Sequence, residues 1–242
     1  MKILNYDTHA HIDLYKNMRA YIDDIEKACC YTIIVTNVPK LYKKYIGEYD
    51  DYQYIRFALG LHPELAIQYK SQLSIFHEAV KTSRYIGEVG LDFAKGVDEE
   101  QIKIFEEIMK SCQHYGGKII SVHSRRAANK TIDVIGKCAT NIIILHWFSG
   151  TMKELNRAIK MGYYFSVNTN MLMSKKGAEM VKRIPPDRLL LESDAPFTNT
   201  TRDRYDLDFI RLIVNMTAEI LGKSEQEIRT MYSENFKKIL KL

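Results

Sequence analysis

Asp7-Thr8-His9-Ala10-His11-Ile12-Asp13 follows the apolar run Met1-Lys-Ile-Leu-Asn-Tyr6 and decides how the chain is read. The run predicts a short buried strand. Residues i and i+2 of a strand share a face, so His9 and His11 aim both imidazoles at one point. Neutral imidazole is the commonest side-chain metal ligand, and a pair at a strand end is half a metal site. His-x-His alone is a weak signal, because two partly exposed histidines near a terminus give the same pattern. The reading turns on how many later strands end in another ligand.

Working outward, β-rich runs alternate with amphipathic stretches, the pattern of successive βα units. Tyr31–Thr36, Ile55–Leu59, Tyr85–Glu88, Lys118–His123, Asn141–His146, Tyr163–Val167 and Arg188–Asp194 are predicted as seven more strands. Helices are predicted over Met18–Cys29, Leu41–Tyr49, Leu73–Thr82, Glu99–Tyr115, Ala127–Ala139, Met152–Lys160, Lys175–Arg183 and Asp206–Leu221, with a further one over Ser224–Leu240. Gly116-Gly117 supplies a C-terminal glycine for the longest of these. Eight such units with right-handed crossovers predict an α/β fold, a TIM (β/α)8 barrel with an extra C-terminal helix. An open doubly wound sheet is the alternative, but no Gly-x-Gly-x-x-Gly follows the first strand. No repeat, low-complexity run or linker interrupts residues 1–242, so a single domain is expected.

The composition agrees with a soluble globular protein: 27% charged and 46% hydrophobic residues in 242. No apolar stretch approaches the roughly 20 residues of a membrane helix. Met1-Lys2 runs straight into the first strand, so no signal peptide is expected. Cys29, Cys30, Cys112 and Cys138 contain no Cys-x-x-Cys and read as reduced thiols in a cytoplasmic protein. The net charge of +5 is compatible with a nucleic-acid substrate and too mild to argue for one.

The predicted strand ends then carry a constellation. His9 and His11 close the first strand and His62 follows the third. Glu88, His123 and His146 end the fourth, fifth and sixth, and Asp194 ends the eighth. Of 7 histidines, only His77 and His114 fall elsewhere, in helices, where an outer surface role is expected. In a TIM barrel the C-terminal strand ends form the active site. Imidazole and carboxylate without thiolate is the donor pattern of a catalytic zinc, with manganese or magnesium also feasible. The set exceeds what one open catalytic ion needs and suits two ions roughly 3.5–4 Å apart, with Glu88 shared.

The phrases His9-Ala-His11-Ile-Asp13, Gly60-Leu-His62-Pro63, Ile86-Gly-Glu88-Val-Gly-Leu-Asp92, His123-Ser-Arg125, His146-Trp-Phe148-Ser-Gly150 and Leu191-Glu192-Ser-Asp194-Ala-Pro196 resemble the TatD family of metal-dependent deoxyribonucleases. The resemblance runs down to Glu234-Asn235-Phe236. It implies a TIM barrel of the amidohydrolase superfamily, two or three divalent ions and phosphodiester hydrolysis. One ion would take His9, His11 and Asp194, the other His123 and His146, with Glu88 common to both. His11–Tyr15, Leu61–Ala66, Val122–Ala127 and Leu145–Gly150 resemble more finely the TatD-like component (QatD) of the Qat anti-phage defence system. Departures from the housekeeping TatD pattern lie on loops. Arg126 stands where an acid usually follows His-Ser-Arg, the segment after Asp92 is short, and Thr198–Arg204 replaces an Asn-Pro phrase.

These readings give each residue a role and a plainer alternative. Asp194 is expected as ligand and general base, or as ligand only. His62 holds a phosphate oxygen or protonates the leaving oxygen, or merely packs. Asp92 and Glu192 orient ligand imidazoles or loops. Arg125 contacts phosphate or pairs with one of those acids. Arg202 and Arg204, with Lys175 and Lys176, form a basic rim or a solvated face. Trp147 and Phe148 stack on bases or belong to the core. The expected function is a metal-dependent nuclease hydrolysing DNA, single-stranded or from an end, in anti-phage defence with other Qat-type proteins and no membrane. The alternatives are a small-molecule amidohydrolase and a metal-binding subunit of a defence complex. Many amidohydrolases bridge two metals with a carboxylated lysine on strand four, and Glu88 in its place favours the nuclease.

Overall fold

The computed structural model describes residues 5–49, 51–137 and 140–241. The run Met1–Leu4, the end of the helix predicted to Ala139, and Cys138 therefore lie outside the described residues. The elements are β1 (Asn5–Ala10), α1 (Met18–Lys27), β2 (Cys30–Val35), α2 (Pro39–Glu48), β3 (Ile55–Ala58), α3 (Pro63–Ala66), α4 (Leu73–Ala79), β4 (Tyr85–Gly90), α5 (Glu99–Tyr115) and β5 (Ile119–His123). They continue with α6 (Ala128–Ile135), β6 (Ile142–His146), α7 (Met152–Lys160), β7 (Tyr164–Val167), α8 (Thr169–Met173), α9 (Lys175–Arg183), β8 (Leu189–Leu191), α10 (Asp208–Leu221) and α11 (Glu225–Leu240). This is the predicted (β/α)8 order, an α/β fold with parallel strands and an additional C-terminal helix. The strand predicted over Arg188–Asp194 is shorter: only Leu189–Leu191 is extended in the sheet.

The chain divides into two units. Unit 1 comprises residues 1–34, 52–56 and 164–242. Here β1 pairs in parallel with β2, and β7 with β8. The β1/β2 register slips between Asp7↔Thr32 and Ala10↔Ile34, a bulge that falls on Thr8-His9. Bulges bend a strand and re-aim its side chains. The segment after β8 joins the end of β1: the Asp194 N–H donates to the His9 carbonyl (2.9 Å) and the His11 N–H to the Ala195 carbonyl (2.7 Å). At the other end of these strands the Tyr6 ring stacks on Phe236 of α11 at 4.0 Å. The Tyr6 hydroxyl donates to the Tyr232 carbonyl (3.0 Å), and the Asn235 amide to the Leu189 carbonyl (2.8 Å). The C-terminal helix thus covers the strand ends opposite the histidines.

Unit 2 comprises residues 35–51 and 57–163. β4, β5 and β6 run parallel, from Tyr85↔Ile119 and Ile119↔Ile142 to Gly90↔His123 and Val122↔Leu145. Every residue of β4 is buried, as expected of a parallel strand covered on both faces. Its register against β5 slips between Ile86 and Val89, so a second bulge falls on Gly87-Glu88. Lys118, buried before β5, donates to the Val80 and Ser83 carbonyls (2.6 and 2.7 Å) at the end of α4, a place that favours a cation.

Two glycines let backbones meet. A Cβ at Gly60 would lie 1.7 Å from the Thr36 carbonyl oxygen, so only glycine lets the loop after β3 lie on the end of β2. Gly90, at φ +144°, faces His123, whose carbonyl oxygen would be 2.1 Å from an added Cβ. Gly90→Ala is expected to separate β4 from β5 at the point where they hold Glu88 and His123. The expected cost is at least about 2 kcal/mol, read as a lower urea midpoint at unchanged slope.

Candidate metal sites

In unit 1 the bulged end of β1 presents His9 and His11, as the two-residue spacing predicts. Their Nε2 atoms lie 3.3 Å apart, and Asp194 Oδ1 is 3.6 Å from the first and 3.9 Å from the second. All three side chains are buried. Asp194 takes φ +46°, a backbone region costly for a side-chain-bearing residue and concentrated at functional sites. Two imidazoles and a carboxylate facing one point, out of water, fit a divalent cation.

Unit 2 builds a second donor set. Glu88 Oε1 lies 2.6 Å from His123 Nδ1 and 2.7 Å from His146 Nε2, and these two nitrogens are 3.3 Å apart. The set fits a divalent ion by the same chemistry. Trp147, directly after His146, is at φ +37°, so the chain turns sharply as it leaves that histidine. Phe148 is buried and belongs to the core, and Trp147 is partly buried.

The other ring nitrogen of His123 lies 2.8 Å from Asp92 Oδ2. A carboxylate at the far nitrogen fixes ring orientation and raises the basicity of a ligating imidazole. Burial opposes ionisation of Asp92, but its bond to His123, the Ala94 N–H and the nearby charges of His123 and Arg125 outweigh it and hold the carboxyl below its usual range. Burial likewise pulls His123 down. The Glu88 charge and the bonds to Asp92 and Glu88 outweigh that and raise it. Arg125, more than half exposed, lies 3.7 Å from Asp92, which is the expected ion pair with one of the two acids. Glu192, fully buried, instead accepts from the Ser166 hydroxyl and from Asn168 Nδ2 (3.0 Å), and so holds the end of β7.

His62 is held differently from the other strand-end histidines. Its Nδ1 accepts the Glu64 N–H at 3.2 Å and caps α3, which puts the proton of the neutral ring on Nε2. That Nε2 faces Glu88 Oε2 at 3.5 Å. The tautomer suits a hydrogen-bond donor rather than a metal ligand. Arg202 and Arg204 are exposed on the loop after β8. Arg202 donates to Asn199 Oδ1 (3.0 Å) and Arg204 pairs with Asp206 (3.7 Å). Lys175 and Lys176 open α9 and are also exposed. His77 bonds Glu107 and Ser111 of α5, and His114 is exposed on that helix; both sit on helices, as expected.

Asp7 escapes the sequence reading. Fully buried, its Oδ1 accepts the N–H groups of His9 (3.1 Å) and Ser193 (2.9 Å), and its Oδ2 accepts the Tyr205 hydroxyl (3.0 Å). Its burial pushes the carboxyl up to about 7 against these bonds. Its place two residues before the first histidine, the spacing of side chains on one face of a regular strand, was the available signal.

A model of the TatD related DNase family matches residues 6–241. The chain belongs to this family. It is 26% identical over 261 residues to the uncharacterised metal-dependent hydrolase YabD of Bacillus subtilis, covering 98% of this chain and 99% of that protein. It is 26% identical over 200 residues to a protein of Pantoea vagans named 3′-5′ ssDNA/RNA exonuclease TatD, covering 76% of each. Among solved structures, the TatD homologue YjjV of Escherichia coli superposes with a TM-score of 0.84 at 21% identity, over 100% of both chains, and shows the shared fold. As a TatD-family protein the chain is a metal-dependent hydrolase, and each donor set described above is a candidate place for its metal. If Asp92 orients His123, Asp92→Asn weakens metal binding by roughly 10–100-fold, measured by isothermal titration of the metal-free protein.

Proposed function

We propose that this chain hydrolyses phosphodiester bonds of nucleic acid, DNA first, acting on single strands or from an end with at least two divalent ions. The carrying observation is the pair of donor sets, buried except for the half-buried His123, each mixing imidazole with carboxylate and neither using thiolate. The name of the Pantoea vagans relative supports the substrate class. His9, His11 and Asp194 hold one ion, while Glu88, His123 and His146 hold another; zinc, manganese and magnesium all suit these donors. When bound, such ions neutralise phosphate oxygens and acidify a water.

The chain's own side chains do the rest. An Asp194 carboxylate oxygen takes the proton of the attacking water. His62 donates from Nε2 to a substrate oxygen, the role that its bond from Glu64 leaves open. Arg125, Arg202 and Arg204 contact substrate phosphates, as planar guanidinium suits. Residues 1–242 act as one hydrolase domain. The Qat-like phrases around His11, His62, His123 and His146 support action in anti-phage defence beside other proteins of that system. The thiols of Cys29 and Cys30, in no disulfide among the described residues, support a cytoplasmic place. Among the described residues no helix is long and apolar enough to cross a membrane.

The test is metal analysis of the purified protein together with nucleotide release from end-labelled single-stranded DNA. Asp194→Asn changes side-chain size little and removes the base and an anionic ligand. It is expected to fold and to abolish release; undiminished turnover at matched metal content would refute the role. Arg202→Ala with Arg204→Ala is expected to flatten the salt dependence of binding by up to roughly two units of log slope. The readout is a salt titration against the wild type, and an identical slope would leave the loop as a protein-docking surface.

A further inference from the structure

The exposed large apolar side chains of unit 1, among the described residues, are Leu14, Met173 and Phe197. All three stand on segments that leave the C-terminal ends of its strands: Leu14 after β1, Met173 at the end of α8 after β7, and Phe197 after β8. The outer helices α1, α9, α10 and α11 expose none of this kind. Isolated exposed apolar residues need no explanation, but their confinement to the side carrying His9, His11 and Asp194 does.

Phe197 is the best placed of the three. It is 52% exposed, and its ring stands perpendicular to that of His11, with centroids 5.3 Å apart. Its backbone is held on both sides. The Phe197 N–H donates to the Asp194 carbonyl (2.7 Å), and the next residue, Thr198, donates from its hydroxyl to the Ser193 carbonyl (2.9 Å). Thr198 and Thr201 share a 2.7 Å hydroxyl bond, and the Asn199 N–H donates to Asn170 Oδ1 (3.1 Å) of α8. An aromatic ring fixed in place, touching a ligand imidazole and half open to water, is pre-organised to receive another flat apolar face. Farther along, the same loop exposes Arg202 and Arg204. Aromatic rings beside guanidinium groups are what single-stranded nucleic acid meets in its binding sites.

We propose that Phe197 is the platform on which the unpaired base of the substrate's terminal nucleotide stacks, so that it sets a preference for ends that carry a base. This rests on the reading of the chain as a nucleic-acid phosphodiesterase. In a duplex the terminal base is tied to its partner and moves only with the whole helix end, whereas a single-stranded end can lay its base on Phe197 alone. The face of a base is the same in DNA and RNA, so the platform does not choose between them.

The experiment compares kcat/KM on two single-stranded oligonucleotides. They are identical except that one carries a tetrahydrofuran abasic residue at the terminus from which hydrolysis proceeds. The wild type is expected to prefer the base-bearing strand by about 5- to 150-fold, the worth of one stacked base. Phe197→Leu keeps an apolar side chain without a ring and is expected to lose most of that preference, whereas Phe197→Trp keeps it. Each preference is a ratio within one variant at matched metal content, so a change transmitted through His11 cancels. A preference in Phe197→Leu equal to that of the wild type would overturn the proposal, as would a wild type that cleaves both strands equally. A wild type that cleaves neither overturns the phosphodiesterase reading, and this inference with it.

Discussion

A carboxylate withdrawn from water must be met by donors or by positive charge, and Asp7 shows how unit 1 answers that demand. Its three bonds reach the backbone of His9, the backbone of Ser193 and the phenol of Tyr205. Those partners come from β1, from the segment just after β8 and from the loop leading to α10. One buried side chain therefore fixes the two backbone segments that carry His9 and Asp194 relative to each other. Glu88 makes the corresponding demand in unit 2, where the nitrogens of His123 and His146 meet the same oxygen. In both units a carboxyl group that is expensive to bury also gathers the candidate donors.

The pattern of strands and helices was legible because parallel strands buried on both faces read as apolar runs, and the helices between them keep their amphipathic stripe. The pairing of His9 with His11 was legible because two residues is the period of a strand, and the end of α5 because Gly116 can take φ +61°. Asp194 was legible as a residue and not as a geometry. The extended segment stops at Leu191, and the carboxylate reaches His9 through a turn in which its own backbone is left-handed. Spacing rules describe regular elements and say nothing about such turns.

The tautomer of His62 was hidden for a related reason, since it depends on a single backbone N–H in the first turn of α3. The bulges at Thr8-His9 and Gly87-Glu88 leave no mark in hydrophobic periodicity, although the glycines of Ile86-Gly-Glu88-Val-Gly90 hinted at close backbone approach. Phe197 was invisible because nothing in a sequence separates a phenylalanine in the core from one on the surface. Phe148, which invited the same reading from its place beside His146, is buried.

Unit 1 is assembled from residues near both ends of the chain, with β1 bonded to the segment that follows β8. Its donors at positions 9, 11 and 194 therefore span most of the polypeptide, whereas Glu88, His123 and His146 come from the middle. During synthesis the candidate donors of unit 2 emerge complete while His9 and His11 still lack their carboxylate partner. A chain that stops short of Asp194 carries one whole candidate donor set and one imidazole pair, so an interrupted translation product cannot assemble both. The order of the sequence thereby makes completion of both candidate sites a late event in the life of the polypeptide.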